Sequence, residues 1–261
     1  FMSAYPIDLK AARILVSNDD GINADGLAVL EKIARELSDD VWVVAPEIEQ
    51  SGAGHSLTLH QPLRFRPIDD RRFAVSGTPT DCVLLAINHI LADRKPDLVL
   101  SGVNRGGNLG EDVTYSGTIA AAMEGTMLGV PSIALSQFYG PDRRVDWTAA
   151  EENGADIVRK LVAVGWPDNV TVNVNFPEAR TAGVKGVEVC RQGKRKLGDE
   201  LDHRQDPRGR SYFWIGAMRE EDISTPGTDI HAVHQGMITI TPLDLDLTHG
   251  PTMEIFKRKM G

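Results

Sequence analysis

Short, uninterrupted apolar runs alternate with amphipathic helical patterns over the first half of the chain, and few architectures accept that alternation. "RILVS" (13–17), "VWVVAPE" (41–47), "PDLVLSGVN" (96–104) and "VPSIALSQ" (130–137) read as strands buried on both faces. Between them, "NADGLAVLEKIARELSDD" places Leu27, Leu30, Ile33, Ala34 and Leu37 on one helical stripe. "TPTDCVLLAINHILADRK" does the same with Val83, Leu84, Ile87, Ile90 and Leu91, with Thr78 or Thr80 as its cap. The alanine-rich "SGTIAAAMEGTMLG" opens a third helix at Ser116. Strands without alternation need helices on both sides, so the pattern predicts a doubly wound α/β fold with a mainly parallel sheet.

The connection "IEQSGAGHSLTLHQP" is a long loop leading into a β excursion at "LRFRPI" and "FAVSG". In the second half, "AAEENGADIVRKLVAVG" reads as a helix and "VTVNVNFP" as a strand, whereas residues 191–210 are charged and loop-like. The tail "TPGTDIHAVHQGMITITPLDLDLTHG" alternates Ile with Thr, then Leu with Asp, with Pro242 at the change of phase. It reads as extended structure bent at the proline. The expected division is therefore an α/β core over residues 11–223 and a hairpin-forming tail over 224–261.

Charge and cysteine content remove several function classes. Lys and Arg total 28 against 37 Asp and Glu, a net charge of -9, the wrong sign for binding a nucleic acid polymer or an anionic membrane. No apolar run approaches the ~18 residues of a membrane span. Cys82 and Cys190, the two cysteines of the chain, lie far apart with no ligand-like spacing, which fits a reducing cytoplasm.

Parallel sheets place ligands beyond the carboxyl ends of their strands, near the point where strand order reverses. There the chain carries Asp19 and Asp20 after the first strand, Ser51 in the loop after the second and Asn104 after "DLVLSGV". Two adjacent carboxylates repel each other and resist burial, so they call for compensation. Taken alone the pair also suits a turn or helix cap. With an amide and a hydroxyl at neighbouring strand ends, the all-oxygen set suits one hard divalent cation, Mg²⁺ or Mn²⁺. Beyond Asn104, "RGGNLGEDVTYSGT" is a glycine-rich loop running into a helix N-terminus, a seat for phosphate built from Asn108, Thr114, Ser116, Gly117 and Thr118. Ser116 also suits a simple N-cap. A cation beside a phosphate seat points to hydrolysis of a phosphoester, with Asp19 or Asp20 orienting or deprotonating the water.

Other phosphate chemistries need residues that are missing. "GINADGLA" lacks the lysine of a P-loop, no G-x-G-x-x-G follows the first strand, and neither cysteine is followed by the arginine of a cysteine phosphatase. His55, His60 and His89 read as surface or packing residues, His231 and His234 as a solvated face or a reach into a neighbour's site, and Trp147, Trp166 and Trp214 as core or interface.

Together "ILVSNDDG", "VVAPEIEQSGAGHSLT", "AVSGTPTDCV", "PDLVLSGVNRGGNLGEDVTYSGTIAAAMEG" and "GTDIHAVHQGMITITPLDLDLT" closely resemble the SurE survival-protein family of nucleotidases, in order from about Arg13 to Thr248. The resemblance implies a divalent-metal-dependent phosphatase of nucleoside 5'- and 3'-monophosphates with a Rossmann-like core, also acting on short polyphosphate in some members. It places the family's metal ligands on Asp19, Asp20, Ser51 and Asn104, one cation per subunit. It also implies a homodimer or homotetramer built by exchange of a C-terminal hairpin, here the tail from about Ser224. Gln50 departs from the arginine that many relatives carry before the ligand serine. A phosphatase acting mainly on polyphosphate or other phosphomonoesters, and a non-enzymatic nucleotide sensor, are the alternatives to a nucleoside monophosphate phosphatase.

Overall fold

A computed structural model describes residues 7–140, 142–180, 183–196, 201–215 and 220–261. In chain order its elements are β1 (Arg13–Ser17), α1 (Asp25–Leu37), β2 (Asp40–Pro46), β3 (Phe65–Asp69), β4 (Arg72–Val75), α2 (Pro79–Leu85), β5 (Leu98–Arg105), α3 (Gly117–Met127), β6 (Ser132–Gln137), α4 (Thr148–Val164), β7 (Val170–Phe176), β8 (Gly186–Val189), β9 (Arg195–Lys196), β10 (Leu201–Gln205), β11 (Ser211–Ile215), β12 (Glu220–Glu221), α5 (Asp229–His234), β13 (Met237–Asp244) and α6 (Gly250–Met260). Nine strands form one sheet in the order β3-β4-β2-β1-β5-β6-β7-β13-β8. Its middle, β4 to β7, is parallel throughout, while β3 and β13 run antiparallel to their inner neighbours.

The apolar runs are buried because each alternate residue meets a different helical layer. Ile14 and Val16 face a core with Leu27, Leu30 and Ile33 of α1 and Ile157 and Val158 of α4. Leu15 and Val99 face the opposite core with Cys82 and Val83 of α2 and Ala121 of α3. Small residues let these layers close: a Cβ on Gly26 of α1 would lie 2.0 Å from the Val103 carbonyl of β5. Helix α2 starts as its sequence suggests, with Thr78 rather than Thr80 as N-cap, a capping box closed by Asp81, and Pro79 in the first turn. Beyond Leu85 a π-helical turn carries the chain over Ala86–Ile90.

The tail departs most from the expected pattern. The structure forms α5 over Asp229–His234, and β13 then enters the main sheet between β7 and β8. Within one chain the path from Ser224 thus runs through α5 into the main sheet. Pro242 lies within β13 opposite Val172 without a break in register. The partner β8 pairs only as far as Ile240, so the proline's missing N–H falls where no ladder needs it. An antiparallel hairpin is present upstream, between β10, inside the stretch 191–210 that reads as loop, and β11 just after it. Every residue of both strands is exposed, including Tyr212, Phe213, Trp214 and Ile215; without a buried face the hairpin has no alternation to read. Within that stretch residues 197–200 lie outside the described residues. Trp166 is core, whereas Trp214 is 62% exposed. Among the described residues no helix is long and apolar enough to cross a membrane.

Candidate active site

Strand order reverses between β1 and β5: the chain leaves β1 for β2 on one side and later returns to β5 on the other. The carboxyl ends of these strands carry the two carboxylates and Asn104. Asn18, fully buried, shapes the turn after β1: its Nδ2 donates to the Gly21 carbonyl at 3.0 Å and its Oδ1 accepts from the Gly21 N–H at 3.2 Å. Gly21 takes φ +101°, a conformation that favours glycine. The Gln50 N–H donates to the Asp19 carbonyl at 2.8 Å, tying the loop that bears Ser51 to the same turn.

Asp19 is the buried member of the pair, 5% exposed. Its Oδ1 accepts from the Thr118 hydroxyl at 2.5 Å, and the Thr118 N–H also interacts with it favourably. A Cβ on Gly117 would lie 2.7 Å from the Asp19 Cβ, so glycine is what lets α3 approach this carboxylate. The first turn of α3 thus sets its positive end against Asp19. Burial nevertheless dominates and pushes the Asp19 pKa up to about 6, with the Thr118 bond opposing and the Asp20 charge adding to the rise. Burial raises Asp20 as well; the Arg105 N–H at 3.2 Å opposes this and the nearby Glu49 charge reinforces it.

Asp19, Asp20, Ser51, Asn104, Asn108 and Ser116 all line one cleft of about 1530 Å³. Asn104 donates from Nδ2 to the Gly106 carbonyl at 2.8 Å, which leaves Oδ1 as a donor oxygen for a cation. Ser51 is exposed and its hydroxyl donates to Glu49 Oε1 at 2.7 Å, with oxygen lone pairs to spare. Among the described residues no three His, Cys, Asp or Glu side chains gather as a metal-holding group. Two carboxylates with amide and hydroxyl oxygens still fit a hard cation, and a buried and a half-buried carboxylate, both with raised pKa values, are the groups that one would relieve.

Three of the expected phosphate contacts do not line the cleft: Thr114, Gly117 and Thr118. Thr114 is exposed in a 3₁₀ turn, while Gly117 and Thr118 turn toward Asp19. Ser116 caps α3, accepting from the Ile119 N–H at 3.1 Å. The glycines of the loop after β5 also have a packing reason: added Cβ atoms would lie 3.1 Å from the Tyr139 ring at Gly106 and 3.0 Å from the Phe138 ring at Gly107.

The cleft holds residues that the sequence pattern did not single out. Glu49 stands two positions before Ser51 in "EIEQS", but a carboxylate in a loop carries no periodic signal. Arg143, Arg144 and Lys185 bring positive charge to the cleft lining, and Tyr139, with Trp147 that reads as core or interface, supplies aromatic surface. His234 also lines the cleft, 2.9 Å from Glu221 and edge-on to Phe138, whereas His231 turns to the Ile223 carbonyl. His55 pairs with Glu124 of α3 at 3.0 Å, and His89 packs edge-on against Phe65.

Comparison with known proteins identifies the family. The family described as survival protein SurE matches residues 14–199, more than half of the chain. A Paramagnetospirillum magneticum protein named 5'-nucleotidase SurE is 62% identical over 247 residues, covering 95% of each chain. One of the same name from Rhodospirillum rubrum is 58% identical over 250 residues, again 95% of each. The crystal structure of the SurE protein from Aquifex aeolicus superposes with a TM-score of 0.82 at 43% identity, covering 94% of this chain and 98% of that one. The chain belongs to the SurE family.

Proposed function

We propose that this protein is a divalent-metal-dependent phosphomonoesterase that hydrolyses nucleoside 5'- and 3'-monophosphates to nucleoside and phosphate. The observation that carries the reading is the convergence of Asp19, Asp20, Ser51 and Asn104 on one cleft at the point where strand order reverses. The name 5'-nucleotidase borne by relatives at 62% and 58% identity supports the same substrate class.

One Mg²⁺ or Mn²⁺ per subunit, held by those four residues, would polarise the phosphoryl oxygens and lower the pKa of a coordinated water. The chain's own residues do the rest. Thr118 and the N-terminal turn of α3 hold Asp19 in one orientation from below, leaving the face toward the cleft to bind. Asp20, held by the Arg105 N–H, is the more exposed carboxylate and the better placed to accept a proton from the attacking water. Asn108 and Ser116 bind phosphate oxygens across the cleft. Tyr139 and Trp147 offer stacking surface to a base.

A second reading, short polyphosphate as substrate, is favoured by the size of the cleft and by Arg143 and Arg144 on its wall. Assembly as a homodimer or homotetramer is part of the proposal. The exposed hairpin β10–β11, together with α6, which has no buried residue in its own chain, is the material for exchange between subunits. Two free, buried cysteines suit a cytoplasmic setting. Phosphate release from a panel of monophosphates, with and without chelator, tests the function.

A further inference from the structure

Two asparagines of β7 do something that a sheet strand does not need. Asn173 and Asn175 are fully buried, on the face of β7 where Thr171 meets Thr126 of α3, and both aim their amides at Asn108. Asn175 Oδ1 accepts from the Asn108 N–H at 2.8 Å. The Asn108 carbonyl accepts from Asn173 Nδ2 at 2.8 Å and from Asn175 Nδ2 at 3.1 Å. The two amides also bond each other at 3.3 Å. Asn108 Nδ2 in turn donates to Ser136 Oγ of β6 at 2.8 Å.

Both sides of the Asn108 peptide backbone are therefore clamped, and one of its two side-chain N–H bonds is fixed on Ser136. The remaining Nδ2 N–H is the group left to point at an anion in the cleft, since an amide nitrogen has two donors. Burying amides costs stability unless their bonds are made, and here three of the four bonds named for these amides converge on a single cleft residue. We propose that Asn175, assisted by Asn173, is a positioning residue for substrate phosphate, acting through Asn108. This rests on the reading of Asn108 as a phosphate contact of a metal-dependent phosphatase.

A double-mutant cycle on the metal-loaded protein tests it. With a nucleoside monophosphate and Mn²⁺, Asn175→Ala should lower kcat/KM about 30-fold, yet less than about 3-fold further once Asn108→Ala is present. Asn173→Ala, which removes one bond of the clamp, should show a smaller loss with the same dependence on Asn108, and stands in if Asn175→Ala does not fold. Mn²⁺ affinity should stay within about 2-fold of wild type in both variants, because the clamp touches none of the proposed metal ligands. Equal losses in the two backgrounds, or a parallel loss of Mn²⁺ affinity, would overturn the inference. If the wild type releases no phosphate, the function reading fails by itself. The same cycle read on calorimetric binding of inorganic phosphate to the Mn²⁺-loaded protein then decides the clamp: weaker binding in Asn175→Ala that vanishes as an effect in the Asn108→Ala background supports it, and unchanged binding overturns it.

Discussion

The Thr118 hydroxyl at the start of α3 donates a 2.5 Å hydrogen bond to Asp19 Oδ1, so the helix that follows the glycine-rich loop is seated on a carboxylate of its own chain. Thr118→Val keeps the shape and removes the donor. It should leave a buried oxygen unsatisfied, destabilise the protein by about 1–3 kcal/mol and lower turnover at limiting Mn²⁺, whereas Thr118→Ser should retain most of both. Thermal melts with metal titrations of turnover check this.

Asp19 titrates near 6 in the folded chain against 3.8 for an unperturbed carboxyl. The metal-free fold thus holds this proton more tightly than the unfolded chain does. The group's unfavourable contribution is fully present above about pH 6 and is relieved as pH falls from there toward 4. Asp19→Asn should accordingly raise the Tm of metal-free protein at pH 7 by roughly 5 °C while abolishing turnover. The gain should shrink toward pH 4.5, and calorimetry across that range measures it.

The parallel core and the cleft were legible because both follow from local pattern: apolar runs announce strands buried on both faces, and strand ends announce the site. The Thr118 hydroxyl shows where local pattern stops. A helix N-terminus after a glycine-rich loop signals an anion, but only packing reveals that the anion is Asp19. Asn173 and Asn175 were invisible in "VTVNVNFP", since nothing local distinguishes an amide that clamps a loop from one facing solvent. Residues 237–244 alternate Ile with Thr, which suits a strand with one apolar face to bury; the strand is internal to the sheet and buries Thr239 and Thr241 beside β7 as well.

Asn104 and Asn108 should fail in different ways. Asn104→Ala should weaken cation binding, so that raising Mn²⁺ recovers most of its rate. Asn108→Ala should lower kcat/KM by roughly 10- to 100-fold with no recovery by added cation. Identical cation titrations for the two variants would contradict the separate roles.

Assembly gives a further contrast. Replacing residues 201–215 with a short flexible linker should shift the protein toward monomer in light scattering while the melting transition of the core persists. Truncation from Ser224 removes β13 from between β7 and β8, and should unfold that side of the sheet instead. A hairpin deletion that leaves subunit number unchanged would contradict the proposed exchange.

The most direct measurement is phosphate release from nucleoside 5'-monophosphates by the wild-type protein, assayed with Mn²⁺ or Mg²⁺ and again after exhaustive chelation. The account predicts turnover with cation, loss of at least about 100-fold on its removal, and recovery when it is returned. Undiminished phosphate release from protein shown to be metal-free would contradict it.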